Sequence, residues 1–232
     1  MADHCRPPWN LRIGAGTDGR RVSAYGLTRT ISNGCTDLII VLKIGGSVMR
    51  TGAARELMQA IAARPLSAPI IVPGGGVWAD HVREEQQRLG FSDAAAHRMA
   101  LHAMDASAAL LADFAGAAAR VCETADDFDH ANREGRIAIW APSRMALPAT
   151  EIPARWEVTS DSLAAWLATQ LRVERLILVK SCEIPASIAS DAEALAAVGI
   201  VDAAFPVFTR NSTIDWKVVS GTSGALHALD TG

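Results

Sequence analysis

The chain has 232 residues, half of them hydrophobic and a fifth charged, with a formal net charge of −3. That length supports one large α/β domain with a real core, the composition excludes a disordered chain, and the slightly acidic balance excludes a chain that binds nucleic acid by bulk charge. Cys5, Cys35, Cys122 and Cys182 are far apart and form no C-x-x-C pair, so neither a disulfide framework nor a zinc site is expected, and a reducing cytoplasm fits.

No apolar run reaches the roughly 18 residues needed to cross a bilayer, and the N-terminus lacks the apolar core of a secretory signal. Residues 1–36 carry Arg6, Arg12, Arg20, Arg21 and Arg29 against Asp3 and Asp18, with many Gly, Pro, Ser and Thr. They read as an irregular extension, part of which is expected to be an over-long start, with the domain running over 37–232. Within the extension, Gly14–Gly19 spells G-x-G-x-x-G. It lacks the long strand before it and the periodic helix after it that a dinucleotide site requires.

Leu38–Ile44 is a short, nearly all-apolar run that predicts a buried parallel strand, ending in Gly45-Gly46-Ser47. A helix follows, with Leu57, Ala60 and Ile61 on one face. Pro69–Val72 predicts a second buried strand, running into Pro73-Gly74-Gly75-Gly76, and a long helical region opens near Trp78. The alanine-rich stretch 92–119 predicts a packed helix. Arg120–Glu123 and Ile137–Trp140 predict two more strands. Thr159 or Ser160 is placed to cap a helix through Ala164, Leu167 and Leu171. Leu176–Lys180 is the next strand, and Val218–Val219 precedes a final short helix. This alternation predicts an α/β fold, a three-layer αβα sandwich with a mostly parallel open sheet. In such sheets ligands sit beyond the carboxyl ends of the strands, where both glycine loops fall.

Three groups of residues carry candidate chemistry. Lys43-Ile44-Gly45-Gly46-Ser47 joins a lysine at a strand end to two glycines that let the backbone approach an anion. Phosphoryl transfer needs such positioning and charge neutralisation; the same residues also read as a plain turn with a solvated lysine. Gly74-Gly75-Gly76 is hard to explain as packing, since glycine costs backbone entropy; it reads as a plain turn or, with the first loop, as one of two grips on donor and acceptor. Thr159-Ser160-Asp161-Ser162 reads as a helix N-cap, as a site where Asp161 orients Lys43, or as both.

K-x-G-G-S after the first strand, P-G-G-G after the second and T-S-D-S before a mid-chain helix resemble, in this order, the amino-acid kinase superfamily from about Asp37 to the C-terminus. The resemblance implies an amino-acid kinase fold and ATP-dependent phosphoryl transfer to a small molecule. It places Lys43 on the donor's terminal phosphates, with Gly45, Gly46 and Ser47 beside it and Lys180 and Ser181 on the nucleotide side. Gly74, Gly75 and Gly76, with Arg50, go to the acceptor, and Asp161 becomes the organising carboxylate. Magnesium travels with ATP, without a protein ligand, and a homo-oligomer is implied. A nearer likeness is to the small single-domain kinases of methanofuran-type cofactor synthesis, which convert (aminomethyl)furan-methanol phosphate to the diphosphate. It rests on Val72–Asp80 with Arg83, His97–Asp105, Trp140–Leu147, Trp156–Ser162 and Asp202–Pro206.

There are departures. Lys180-Ser181 stands where many members have Asp, and 191–205 contains no lysine. Lys180 and Arg50 are the candidates for the second cation. The alternatives are acetylglutamate-, aspartate-, uridylate- or isopentenyl-phosphate-type kinases, or a storage or sensing protein that binds nucleotide or oxyanion without turnover. Asp126, Asp127, Asp129 and His130 read as solvated charges at a helix start rather than a metal site, and His97 and His102 as packed or half-exposed. Trp78, Trp140 and Trp156 read either as core or as the wall of a pocket for a flat ring.

Overall fold

The computed structural model describes residues 39–64, 69–173 and 175–230; the expected 1–36 extension and its G-x-G-x-x-G run lie outside them. In chain order the elements are β1 (Ile40–Ile44), α1 (Gly46–Arg50), α2 (Ala53–Ala62), β2 (Ile70–Pro73), α3 (Gly76–Leu89) and α4 (Asp93–Ala115). There follow a 3-10 turn (Gly116–Ala118), β3 (Ala119–Cys122), α5 (Ala125–Arg133), β4 (Ile137–Trp140), α6 (Ser143–Ala146) and α7 (Ser160–Gln170). The chain then forms β5 (Arg175–Lys180), α8 (Ala192–Ala197), α9 (Phe205–Thr209), β6 (Asp215–Ser220) and α10 (Gly221–Asp230).

The strands form one sheet in the order β3-β4-β2-β1-β5-β6, and every pairing is parallel. Helices cover both faces, which is why β1, β2 and β4 are buried along their whole length and read as continuous apolar runs. Side chains alternate between faces. Ile40, Leu42, Ile44, Ile177 and Val179 pack with Leu57, Met58 and Ile61 of α2 and Leu229 of α10. Val41, Leu176 and Leu178 face the other way, onto Leu163, Ala164 and Leu167 of α7 and Phe205 of α9. The fold is the expected three-layer α/β sandwich, with the sheet wholly parallel among its described strands.

β1 leads through α1 and α2 to β2 on one side, while β5 leads through α8 and α9 to β6 on the other. The connections part between β1 and β5, so a crevice opens beyond their carboxyl ends. Among the described residues no helix is long and apolar enough to cross a membrane. The acidic run at 126–130 opens α5, where Thr124 and Asp127 form a reciprocal capping box, the bland reading of those charges.

Candidate active site

The strand period positions both site lysines. Lys43 is two residues beyond Val41 in β1, and Lys180 two beyond Leu178 in β5, so both project toward α7. There Asp161, the second residue of α7, receives them: Lys43 Nζ lies 2.7 Å from Oδ1 and Lys180 Nζ 2.7 Å from Oδ2. Lys43 and Asp161 are each 3% exposed and Lys180 9%, and charges so buried must be paired. Two ammonium groups share one carboxylate as their direct partner, and the Asp202 carboxyl lies near enough to act on the charge of Lys180. Burial opposes ionisation of Asp161, but the charges of Lys43 and Lys180 outweigh it and hold the carboxyl below the ordinary range. Burial and the like charge of Lys43 push Lys180 down to about 8 against the pull of Asp161.

The capping reading of Asp161 is corrected. Thr159 is the N-cap of α7, and its side chain makes no capping bond. The orphan donors of the first turn go to Asp202 instead. Its Oδ2 accepts from the Thr159 amide at 2.9 Å, the Thr159 hydroxyl at 2.8 Å and the Ser162 amide at 2.9 Å. Its Oδ1 accepts from the Ser162 hydroxyl and from the Phe205 amide at 2.9 Å. Asp202 also donates its own amide to Asp161 Oδ2 at 3.2 Å.

The two glycine loops touch backbone to backbone. A Cβ on Gly74 would lie 2.5 Å from the Gly46 nitrogen, and one on Gly46 would lie 2.9 Å from Gly76 backbone atoms. Only glycine permits that approach. At Gly45, a Cβ would crowd the Val179 carbonyl at 3.1 Å and stand 3.7 Å from Lys43 Nζ, so glycine keeps the lysine head open. Gly74 lies at the loop contact rather than on the cleft wall, and its amide is spent on the Ile44 carbonyl at 2.8 Å, as that of Gly45 is on Val179 at 3.2 Å. The amides of Gly46 and Ser47 open α1, and those of Gly76 and Val77 open α3, where first-turn N–H groups lack an intrahelical acceptor.

A cleft of about 390 Å³ runs from Lys43, Gly45, Gly46, Ser47, Gly75, Gly76, Asp161 and Lys180 to an outer end at Arg83, Asp93 and Trp156. Its floor includes Ala96, Ala100, Leu101 and Met104 of α4. Arg50 lines its mouth but pairs with Asp80 at 2.6 Å, exposed, so Lys180, not Arg50, is the cation beside Lys43. Ser181 is exposed past the end of β5. The tryptophans divide between the two readings. Trp140 is wholly buried and stacks on Trp166 at 5.9 Å. Trp156 lines the cleft under the Arg83 guanidinium, 4.4 Å from its ring centre, with its indole N–H on Gln86 Oε1 at 2.5 Å. Trp78 is 41% exposed on α3. His97 lines the cleft, where burial lowers its pKa; His102 is an exposed partner of Asp105 at 3.1 Å.

Sequence reasoning missed Asp202 as a site residue, because its partners at the start of α7 lie some 40 positions earlier and no local pattern links them. The Gln86 bridge to Trp156 was missed for the same reason.

Residues 38–183 match the Amino acid kinase family. The chain is 27% identical over 195 residues to the [5-(aminomethyl)furan-3-yl]methyl phosphate kinase of Methanocaldococcus jannaschii, covering 78% of this chain and 87% of that protein. Among solved structures it is similar to uridylate kinase from Archaeoglobus fulgidus, with a TM-score of 0.60 at 18% identity over 84% of this chain and 95% of that one. It is also similar to UMP kinase from Ureaplasma parvum, with a TM-score of 0.62 at 16% identity over 85% and 96%. With more than half of its length matched, and with the fold of these kinases, the chain belongs to the amino acid kinase family and is an enzyme of the kinase class.

Proposed function

We propose that the chain transfers the terminal phosphoryl group of ATP to a small phosphorylated acceptor, (aminomethyl)furan-methanol phosphate, giving the diphosphate. The observation that carries the transfer is the pair of buried lysines on Asp161, set beside two glycine loops in backbone contact. An oxygen of the acceptor's phosphate attacks the γ-phosphorus. The new P–O bond forms as the bond to the β,γ-bridging oxygen breaks, and that electron pair leaves with ADP. A phosphate monoester is largely dianionic near neutral pH, with a second pKa of about 6, so no strong general base is required. Lys43 and Lys180 meet the charge on the moving group and on the leaving oxygen, while helix-start amides at Gly46, Ser47 and Gly76 take equatorial oxygens.

The carboxylates nearest the transfer point do not offer a resident metal site. Both Asp161 oxygens face lysines, and Asp202 is filled by five donors. Among the described residues no cluster of three metal-ligating side chains exists. The Mg²⁺ that accompanies ATP is therefore assigned to the nucleotide's own phosphates.

The relative from Methanocaldococcus jannaschii supports the acceptor, as does a cleft whose outer end combines Trp156, the apolar face of α4 and Arg83. The test is ADP release from ATP with (aminomethyl)furan-methanol phosphate, acetylglutamate, UMP and isopentenyl phosphate offered separately. Turnover with the furan phosphate is expected to exceed the others by at least about a hundredfold in kcat/KM, roughly 2.7 kcal/mol of discrimination. Preferential turnover of another acceptor would replace the assignment.

A further inference from the structure

We infer that Asp202 is a positioning residue for phosphoryl transfer, holding Asp161 beneath the two lysines from a turn 41 residues downstream of it. The inference rests on the reading of Lys43, Lys180 and Asp161 as the phosphate-binding centre, but not on the identity of the acceptor.

Asp202 belongs to the turn between α8 and α9, within the connection from β5 to β6. Five donors converge on its two oxygens, from Thr159, Ser162 and Phe205. Burial and the neighbouring Asp161 charge raise the pKa of Asp202, and the hydrogen bonds from Ser162 and Thr159 work against that rise; five donors on one carboxyl group favour its ionised form. Its charge sits at the start of α7, where the helix dipole favours an anion, and it supplies the caps that Thr159 as N-cap does not. A second tie runs beside it, from the Ala204 amide to the Glu157 carbonyl at 3.0 Å. The first turn of α7 is thus anchored on both sides to the 202–205 turn.

Asp161 lies inside that anchored turn, and the Asp202 amide bonds the very oxygen that receives Lys180. Asp202 therefore acts on Lys180 in two ways. It fixes the carboxylate that Lys180 meets, and it adds a negative charge nearby. The charged groups acting on Lys180 are Lys43 from β1, Asp161 from α7 and Asp202 from the turn; Lys43 and burial lower its pKa, and the two aspartates raise it. The bland alternative is that Asp202 only stabilises the helix start. That role would lower the melting temperature without changing how the site responds to pH.

The test is titration calorimetry of ATP binding to the full chain between pH 6.5 and 9.5, for wild type and Asp202→Asn, beside the thermal melts of both. Wild type is expected to lose affinity on the alkaline side as Lys180 deprotonates near pH 8. In Asp202→Asn that loss should begin at lower pH, and kcat with any active acceptor should fall roughly 10- to 100-fold, as a misplaced group does. A folded Asp202→Asn with an unmoved alkaline limb would overturn the inference. So would a wild type with no alkaline limb, which would also remove Lys180 from the phosphate site. If no acceptor turns over, the acceptor assignment fails while the binding titration still decides about Asp202. Should Asp202→Asn not fold, Ser162→Ala keeps the carboxylate and deletes one donor. It is expected to lower ATP affinity about threefold or more, the scale of one hydrogen bond, and wild-type affinity in that variant would overturn the inference.

Discussion

Lys43 and Lys180 reach opposite oxygens of a single buried carboxylate, each at 2.7 Å, from neighbouring parallel strands. Both share Asp161 as their direct partner, which fixes the two heads side by side; under the proposed function these are the charges an incoming phosphate meets.

Removing one of them should therefore act on rate before it acts on fold. Lys43→Ala is expected to lower kcat by about 10²–10³ with the furan phosphate, the scale of one preorganised charge contact. Lys43→Arg should restore it only in part, because a planar guanidinium does not replace a compact ammonium. Steady-state kinetics check this; wild-type turnover in Lys43→Ala would remove Lys43 from the transfer site.

Asp161→Asn should be costly in both respects. It removes the carboxylate that both buried ammonium groups touch, and breaking a buried ion pair in this way costs about 3–5 kcal/mol. Denaturant unfolding measures the loss, and a change below about 1 kcal/mol would show that the pairing contributes little. Since Thr159, not Asp161, is the N-cap, the asparagine cannot be rescued by capping.

The pH dependence has two opposite arms. Lys180 titrates at about 8 in the folded protein against an ordinary 10.5. Between those values the unfolded chain binds more protons than the folded one, so stability from this group rises with pH. Over the same window ATP binding should weaken as the ammonium is lost. Melting curves of wild type relative to Lys180→Met, taken beside calorimetry, should show the two slopes diverging; parallel slopes would contradict the assignment.

Gly74→Ala should lose both stability and activity. Its Cβ would meet the Gly46 backbone at 2.5 Å, and forced overpacking costs about 1–3 kcal/mol. Gly52→Ala is the control: at φ +79° with open space around it, it should cost about 1–2 kcal/mol for the left-handed backbone and leave kcat unchanged. Equal effects of the two on kcat would mean that the loop contact does not matter.

Deleting residues 1–36 is expected to change neither melting temperature nor turnover, because their composition offers no apolar face to bury. A fall in either would assign them a place in the core or in an assembly.

Much of the fold was legible because its signals are local. Buried runs at 40–44, 70–73, 137–140 and 175–180 announce parallel strands, and the alternation of side chains places Lys43 and Lys180 on one face. Asp161 was legible as a carboxylate at a helix start that orients Lys43, though its second partner, Lys180, was not. Long-range pairings carry no such mark. The Asp202 cradle joins positions 40 apart, and Gln86 meets Trp156 across 70 positions. The short helices α6, α8 and α9 are four to six residues long, too brief for a periodic apolar face to show. Trp140 and Trp156 look alike as letters, yet one is sealed in the core and the other walls the cleft. Composition near a loop does not say which side of a sheet a ring will face.

The contact between Gly46, Gly74 and Gly76 has a mechanical consequence. No side chain stands between the two loops, so no rotamer can change their spacing. Under the proposed function, one loop grips the donor and the other the acceptor, and the gap between them is set by main chain alone. The seam cannot widen to admit a substrate without breaking the Gly74 amide bond to Ile44. The turn between α8 and α9 is not part of this seam, and through Asp202 it reaches the carboxylate that holds the lysine pair.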